Sequence, residues 1–151
     1  MEVVLHLPVV PNVELVAAKA VETLGRALGM HQTRVEAASV AMVEACLNAM
    51  EHGGGPVTVR LRSDNHDSKP CLVIEVEDHG TGIPSEHLDR VFERFYRIQQ
   101  GRGRSSGGTG LGLSIVERIA GQHVFDIEDG LATGDIIALH FLFFFHHGIE
   151  G

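Results

Sequence analysis

Three short segments, far apart in the chain, constrain the fold more than any average property does. They are Glu44-Ala45-Cys46-Leu47-Asn48-Ala49-Met50-Glu51-His52, then Glu77-Asp78-His79-Gly80-Thr81-Gly82-Ile83-Pro84, then Gly107-Gly108-Thr109-Gly110-Leu111-Gly112-Leu113-Ser114. The first is a polar stripe at helical spacing. The second is a carboxylate beside paired glycines, and the third is a glycine-rich turn opening an apolar helix. Each is weak evidence alone. In this order they describe one pocket for a purine and its phosphates.

The local pattern supplies the frame for that pocket. Val3 to Leu7 reads as a strand closed by Pro8. A helix starts at Pro11-Asn12 and carries Val13, Val16, Ala17, Ala20, Val21, Leu24 and Leu28 at helical spacing, with Gly29 as its stop. A second helix covers 33–52, with an apolar stripe of Val35, Ala38, Met42, Val43, Cys46, Leu47 and Met50, and ends at Gly53-Gly54-Gly55-Pro56. Val57 to Leu61 and Cys71 to Val76 read as strands around turn residues Asn65 to Ser68, and the second delivers Asp78 at its end. A short helix is expected over 86–95, a mobile loop over 97–108, and a helix over 110–121. Val124 to Ile127 and Ile136 to Phe145 close the chain as a hairpin. The apolar run 136–145 is expected to pack on both faces, with a homodimer contact or partner surface as the alternatives.

The chemistry follows from residue types at their spacings. Glu44, Asn48 and His52 lie at i, i+4 and i+8, one above another on a helix, with Ala41, Ala45 and Ala49 beside them. Asn48 offers a neutral oxygen suited to Mg²⁺ held mainly by phosphate and water. Glu44, one turn earlier, could accept a proton from a hydroxyl or water. Asp78 could accept a hydrogen bond from an exocyclic amine, with Gly80 and Gly82 allowing a flat base to approach. Backbone amides at a glycine-rich helix N-terminus suit phosphate. No Lys follows the glycines as in a Walker A loop, and no strand leads directly into them as in a dinucleotide fingerprint.

Composition narrows the partners. The 151 residues suit one domain with one core, and the net charge of −8 disfavours a nucleic-acid binder. Yet Arg90, Arg94, Arg97, Arg102 and Arg104 crowd one segment of an acidic protein, which reads either as a solvated mobile loop or as an anion-facing one. Two cysteines, Cys46 and Cys71, point to reduced thiols and a cytoplasmic setting. No signal peptide or membrane span is expected.

The three segments resemble the N, G1 and G2 boxes of the GHKL ATPase superfamily, and Val91-Phe92-Glu93-Arg94-Phe95-Tyr96-Arg97 resembles the F box of its histidine kinases. The likeness covers about residues 2–122. It implies a Bergerat-type α/β two-layer sandwich, a mixed β-sheet packed on one face by helices with a mobile ATP lid, in a single domain spanning 1–151. It implies ATP and Mg²⁺ as cofactors, with Asn48 as metal ligand and Asp78 reading adenine. Gly80 and Gly82 then shape the base pocket, and His52 and Ile83 join the nucleotide-binding residues. Gly108, Thr109, Gly110, Leu111 and Gly112 form the phosphate turn, and Arg97, Arg102 or Arg104 meets the terminal phosphate.

Within the superfamily the sequence pulls two ways. The opening strand ending in Leu7-Pro8, and Glu44 placed before Asn48, resemble anti-sigma factors with serine-kinase activity, because a serine hydroxyl benefits from a carboxylate base. Asp78-His79-Gly80-Thr81-Gly82-Ile83-Pro84, the F box and the third segment resemble a histidine-kinase catalytic domain. Forty-three residues before Glu44 leave no room for a phosphoacceptor helix pair beside the first strand and helices. His6 and His31 fall outside any phosphoacceptor pattern. The expectation is therefore a serine/threonine-protein kinase of the anti-sigma type with Glu44 as catalytic base. Its partners would be a small antagonist protein as phosphoacceptor and a sigma factor to sequester. A histidine-kinase-like catalytic domain and an ATPase switch without protein acceptor are the alternatives.

Overall fold

A computed structural model describes residues 1–66, 68–80, 85–87, 89–97, 112–120, 125–126 and 137–144. The elements in chain order are β1 (Glu2–Leu7), α1 (Glu14–Ala27), α2 (Gln32–His52), β2 (Val57–His66), β3 (Lys69–Asp78), a 3₁₀ turn (Ser85–His87), α3 (Gly112–Ala120), β4 (Phe125–Asp126) and β5 (Ile137–Phe144). They form the expected two layers, one five-stranded sheet in the order β1-β2-β3-β5-β4 with helices against it. Each described strand pairing is antiparallel, where the expectation was a mixed sheet.

Side-chain alternation explains how the sheet meets the helices. Leu72, Ile74 and Val76 of β3 join Val57, Val59 and Leu61 of β2 in the core, all at 2% exposure or less. Opposite them lie Ala17, Val21 and Leu24 of α1 and Val35, Ala38, Met42 and Cys46 of α2. Two residues beyond Val76 on the same face comes Asp78. Period two therefore turns its carboxyl toward the helices rather than toward water, and it is buried. On the other face Arg60 and Glu77 form an ion pair at 2.7 Å.

The stop expected at Gly29 is present in full. Gly29 has φ +76°, its N–H donates to Arg26 O, and the Met30 N–H donates to Gly25 O, which closes α1 by a Schellman motif. The apolar stripe of α2 differs from the expected one. Leu47 is exposed, and the row Ala41, Ala45 and Ala49 is buried instead. α2 lies between α1, α3 and the sheet, and small side chains let it approach them closely. The segment expected as a helix over 86–95 is a 3₁₀ turn followed by further turns, with Phe95 at φ +64° and Arg90 stacked 4.4 Å from the Tyr96 ring centroid.

β5 is the second strand of the expected closing hairpin, with β4 as the first. It pairs with β3 along its length and with β4 at Phe141 and His140. The hairpin turn over 129–135 and the lid over 98–108 lie outside the described residues. Among the described residues no helix is long and apolar enough to cross a membrane.

Both cysteines are fully buried, and burial, then the charge of Glu14, pushes the Cys46 thiol up to about 12. A thiol reagent is expected to leave both unlabelled in the native protein at pH 8 and to label both in denaturant. Rapid native labelling of Cys46 would contradict this packing.

Candidate nucleotide site

The site is built on the last three turns of α2. Glu44, Asn48 and His52 follow one another along that helix, with Glu44 and Asn48 half-buried and His52 exposed. At the C-terminal end of α2 the backbone runs directly into Asp78. A Cβ added at Gly53 would lie 2.6 Å from Asp78 Cβ and 2.8 Å from its Cγ. One added at Gly80 would lie 2.8 Å from His52 O and 3.1 Å from Gly53 Cα. The end of α2 and the turn after β3 are therefore in bare backbone contact, and only glycine fits between them.

Asp78 is held within this contact. Its Oδ1 accepts a hydrogen bond from the Gly80 N–H at 2.7 Å. Burial raises its pKa above the ordinary carboxylate value, and the Gly80 N–H and the nearby His79 and His52 pull it partly back. Such a buried carboxylate with one oxygen already committed suits a single added donor.

At the other end of the stripe, a Cβ on Gly112 would lie 3.0 Å from Glu44 Oε2. The first residue of α3 therefore rests against Glu44. A carboxylate at a helix N-terminus is electrostatically favourable. From Gly53 back to Glu44 is nine residues, about 13 Å along the helix axis. The carboxylate and the start of the glycine-led helix thus lie at two ends of one polar stripe.

Of the sequence-derived site residues, the structure brings Glu44, Asn48, His52, Asp78, Gly80 and Gly112 onto or against α2. Arg97 is exposed. Gly82, Ile83, Gly108, Thr109, Gly110 and Leu111, with Arg102 and Arg104, lie outside the described residues. Gly53 was missed as a site residue because it was read as a helix stop. Its signal was present in the triple glycine, more than a C-cap requires.

Residues 34–141 match the family model described as "Histidine kinase-, DNA gyrase B-, and HSP90-like ATPase". The chain belongs to this ATPase family. Its ligand class is accordingly ATP with Mg²⁺, and the donors fit: a neutral amide oxygen at Asn48 for the cation, a buried carboxylate at Asp78 for an amine, and backbone without Cβ at Gly53 and Gly80. Relatives narrow the branch. The chain is 41% identical over 81 residues to the sensor histidine kinase YkoH of Bacillus subtilis (strain 168), covering 54% of this chain and 17% of that one. It is 42% identical over 82 residues to WalK of the same organism, covering 53% of this chain and 13% of that one. The solved mycobacterial sensor histidine kinase MprB is 28% identical, with a TM-score of 0.54 and 73% of each chain covered. The chain thus spans under a fifth of the length of these two curated relatives.

These relatives overturn the anti-sigma reading. The serine/threonine specificity, the antagonist protein and the sigma factor have no support among them, and the histidine-kinase alternative does. The Glu44 carboxylate and the opening strand point to the anti-sigma branch on sequence alone, and the relatives do not follow them. In the fold that carboxylate rests against the start of α3.

Proposed function

We propose that this chain is the ATP-binding catalytic domain of a sensor histidine kinase. It transfers the γ-phosphoryl group of ATP to a histidine imidazole held on another polypeptide segment, on the cytoplasmic side where ATP is available. The observation that carries this reading is the buried Asp78 carboxylate in contact with the end of α2, in a chain whose relatives are sensor histidine kinases.

The roles follow from the chemistry of each group. Asp78 accepts a hydrogen bond from the adenine amino group. Gly53 and Gly80 keep its surroundings free of bulk, and Gly82 and Ile83 continue that wall. The Asn48 amide oxygen takes one Mg²⁺ position, leaving the rest to phosphate and water. His52 lies beside the base end. The glycine turn from Gly108 to Gly112, with Thr109 and Leu111, offers amides to the phosphates, and Arg97 stands at the start of the arginine-rich lid. An imidazole nucleophile is already basic enough to attack near neutral pH, so the acceptor requires no strong base from this chain. Bound ATP supplies the phosphoryl group and its metal neutralises the charge that develops on it.

Incubation with γ-labelled ATP, Mg²⁺ and a histidine-bearing helical acceptor is expected to yield phosphate that is stable to alkali and labile to acid. Acid-stable phosphoserine, or no transfer despite ATP binding, would reject the reading. Asn48→Ala should weaken ATP binding roughly tenfold in Mg²⁺, equivalent to ~1.4 kcal/mol. In EDTA the variant and wild type should bind alike. An equal loss in both conditions would place Asn48 outside the metal's reach.

A further inference from the structure

Among the described residues β1 forms an open edge of the sheet, with the geometry for self-association. Among the described residues it pairs only with β2, in the register Glu2↔Arg62 to Leu7↔Val57. The Ser63 N–H donates to Met1 O at 3.2 Å, so Met1, Val3, Leu5 and Leu7 turn their backbone groups toward β2. Glu2, Val4 and His6 therefore present theirs to the open edge. No proline or bulge blunts the strand, although exposed edges are ordinarily protected against pairing.

The surface beside this edge is apolar. A groove of about 690 Å³ runs between β1 and α1, lined by Met1, Val3, Leu15, Val16, Ala20 and Leu24 among others. Leu15 and Val16 are 55% and 54% exposed, and Val4 is 43% exposed on the opposite face.

We propose that this edge pairs with the same edge of a second copy, antiparallel and centred on Val4, so that one sheet runs through both molecules. Charge selects the occupant and the register. With Val4 opposite its symmetry mate, Glu2 of each copy faces His6 of the other, and every facing pair of even-numbered residues can exchange both of its backbone hydrogen bonds. His6 Nδ1 already meets Thr58 Oγ1 at 3.3 Å, which leaves Nε2 for the partner's carboxylate. Shifting the centre to Leu5 would also pair the open backbone groups, but would set His6 against Val4. A two-fold axis normal to the sheet keeps both helix layers on one side and brings the exposed Leu15 and Val16 of the two α1 helices together. This surface is remote in sequence from the nucleotide residues, so its test is independent of the kinase reading.

Sedimentation equilibrium of the full chain over a concentration series is expected to show a reversible dimer. Val4→Lys places like charges at the axis and should give a monomer whose circular dichroism and nucleotide-induced rise in melting temperature match the wild type. Glu2→Lys and His6→Glu should each weaken association roughly 3- to 10-fold, and the double variant should restore it by exchanging the two charges. A chain that is monomeric at every concentration, or a dimer that Val4→Lys leaves intact, would overturn the proposal. Single losses without restoration would overturn the Val4-centred register.

Discussion

Replacing Asp78 by Asn is expected to abolish most ATP binding while making the apo protein harder to unfold at neutral pH. The two effects share one cause. The carboxylate is buried at the end of β3, and burial is the largest influence on it, raising its pKa from 3.8. A raised acid pKa means that the folded state holds the proton more tightly than the unfolded chain does. Stability therefore falls as pH rises, over a window that begins near 3.8 and ends at the folded value, and the full cost stands at neutral pH. Asn removes that cost, and its side-chain oxygen can still accept the Gly80 N–H now bound at 2.7 Å. For the nucleotide the change is adverse. A hydrogen bond to a charged group is worth about 1.5–3 kcal/mol, so the dissociation constant should rise roughly 10- to 150-fold.

Thermal scans and nucleotide titrations at several pH values would test this pair of outcomes. The stability advantage of the variant should be greatest at neutral pH, shrink through the raised pKa of Asp78, and vanish below about 3.8. A variant that melts well below the wild type would mean that the charge holds the fold together. Unchanged ATP affinity would mean that Asp78 does not meet the base.

Gly53→Ala is the second large effect, and it should damage stability and binding together. The new methyl would lie 2.2 Å from Ala49 O as well as 2.6 Å from Asp78 Cβ. Both are backbone or backbone-attached atoms that no rotamer change can move. The end of α2 must then part from β3, at an overpacking cost of about 1–3 kcal/mol. For a chain of this size that is a fall of several degrees, roughly 2–4 °C per kcal/mol. ATP binding should weaken at the same time, because Asp78 shifts with the backbone it touches. Gly55→Ala is the control. Nothing lies within 4 Å of a Cβ there, and its effect should stay within about 0.5 kcal/mol. Equal behaviour of the two variants in calorimetry and nucleotide titration would remove the close contact from the explanation.

The elements were legible wherever a local rule defines them. The periodicity of α1 and α2, the Gly29 stop and the position of Asp78 at the end of a strand all depend on neighbours within a few residues. Errors arose where packing decided. Leu47 was assigned to the core on hydrophobicity, but the adjoining elements require small residues on the buried face, so Ala41, Ala45 and Ala49 took that place. The segment 86–95 has apolar residues at helical intervals yet turns on itself, with Phe95 in the left-handed region. The family was readable from three motifs. Its branch was misjudged because Glu44, the opening strand and the short stretch before Glu44 were allowed to outweigh the likeness of the second half.

By itself the sequence determined which chemical groups are available and in what order: an amide on a helix, a carboxylate ending a strand, and a glycine turn opening another helix. Each is encoded by contiguous residues. Only the tertiary structure decided that β5 lies between β3 and β4, that Gly53 touches Asp78, that Gly112 meets Glu44, and that β1 pairs with β2 alone among the described residues. Those contacts join residues separated by tens of positions. They are selected by the collective burial of the sheet against α1 and α2, which no local window of sequence contains.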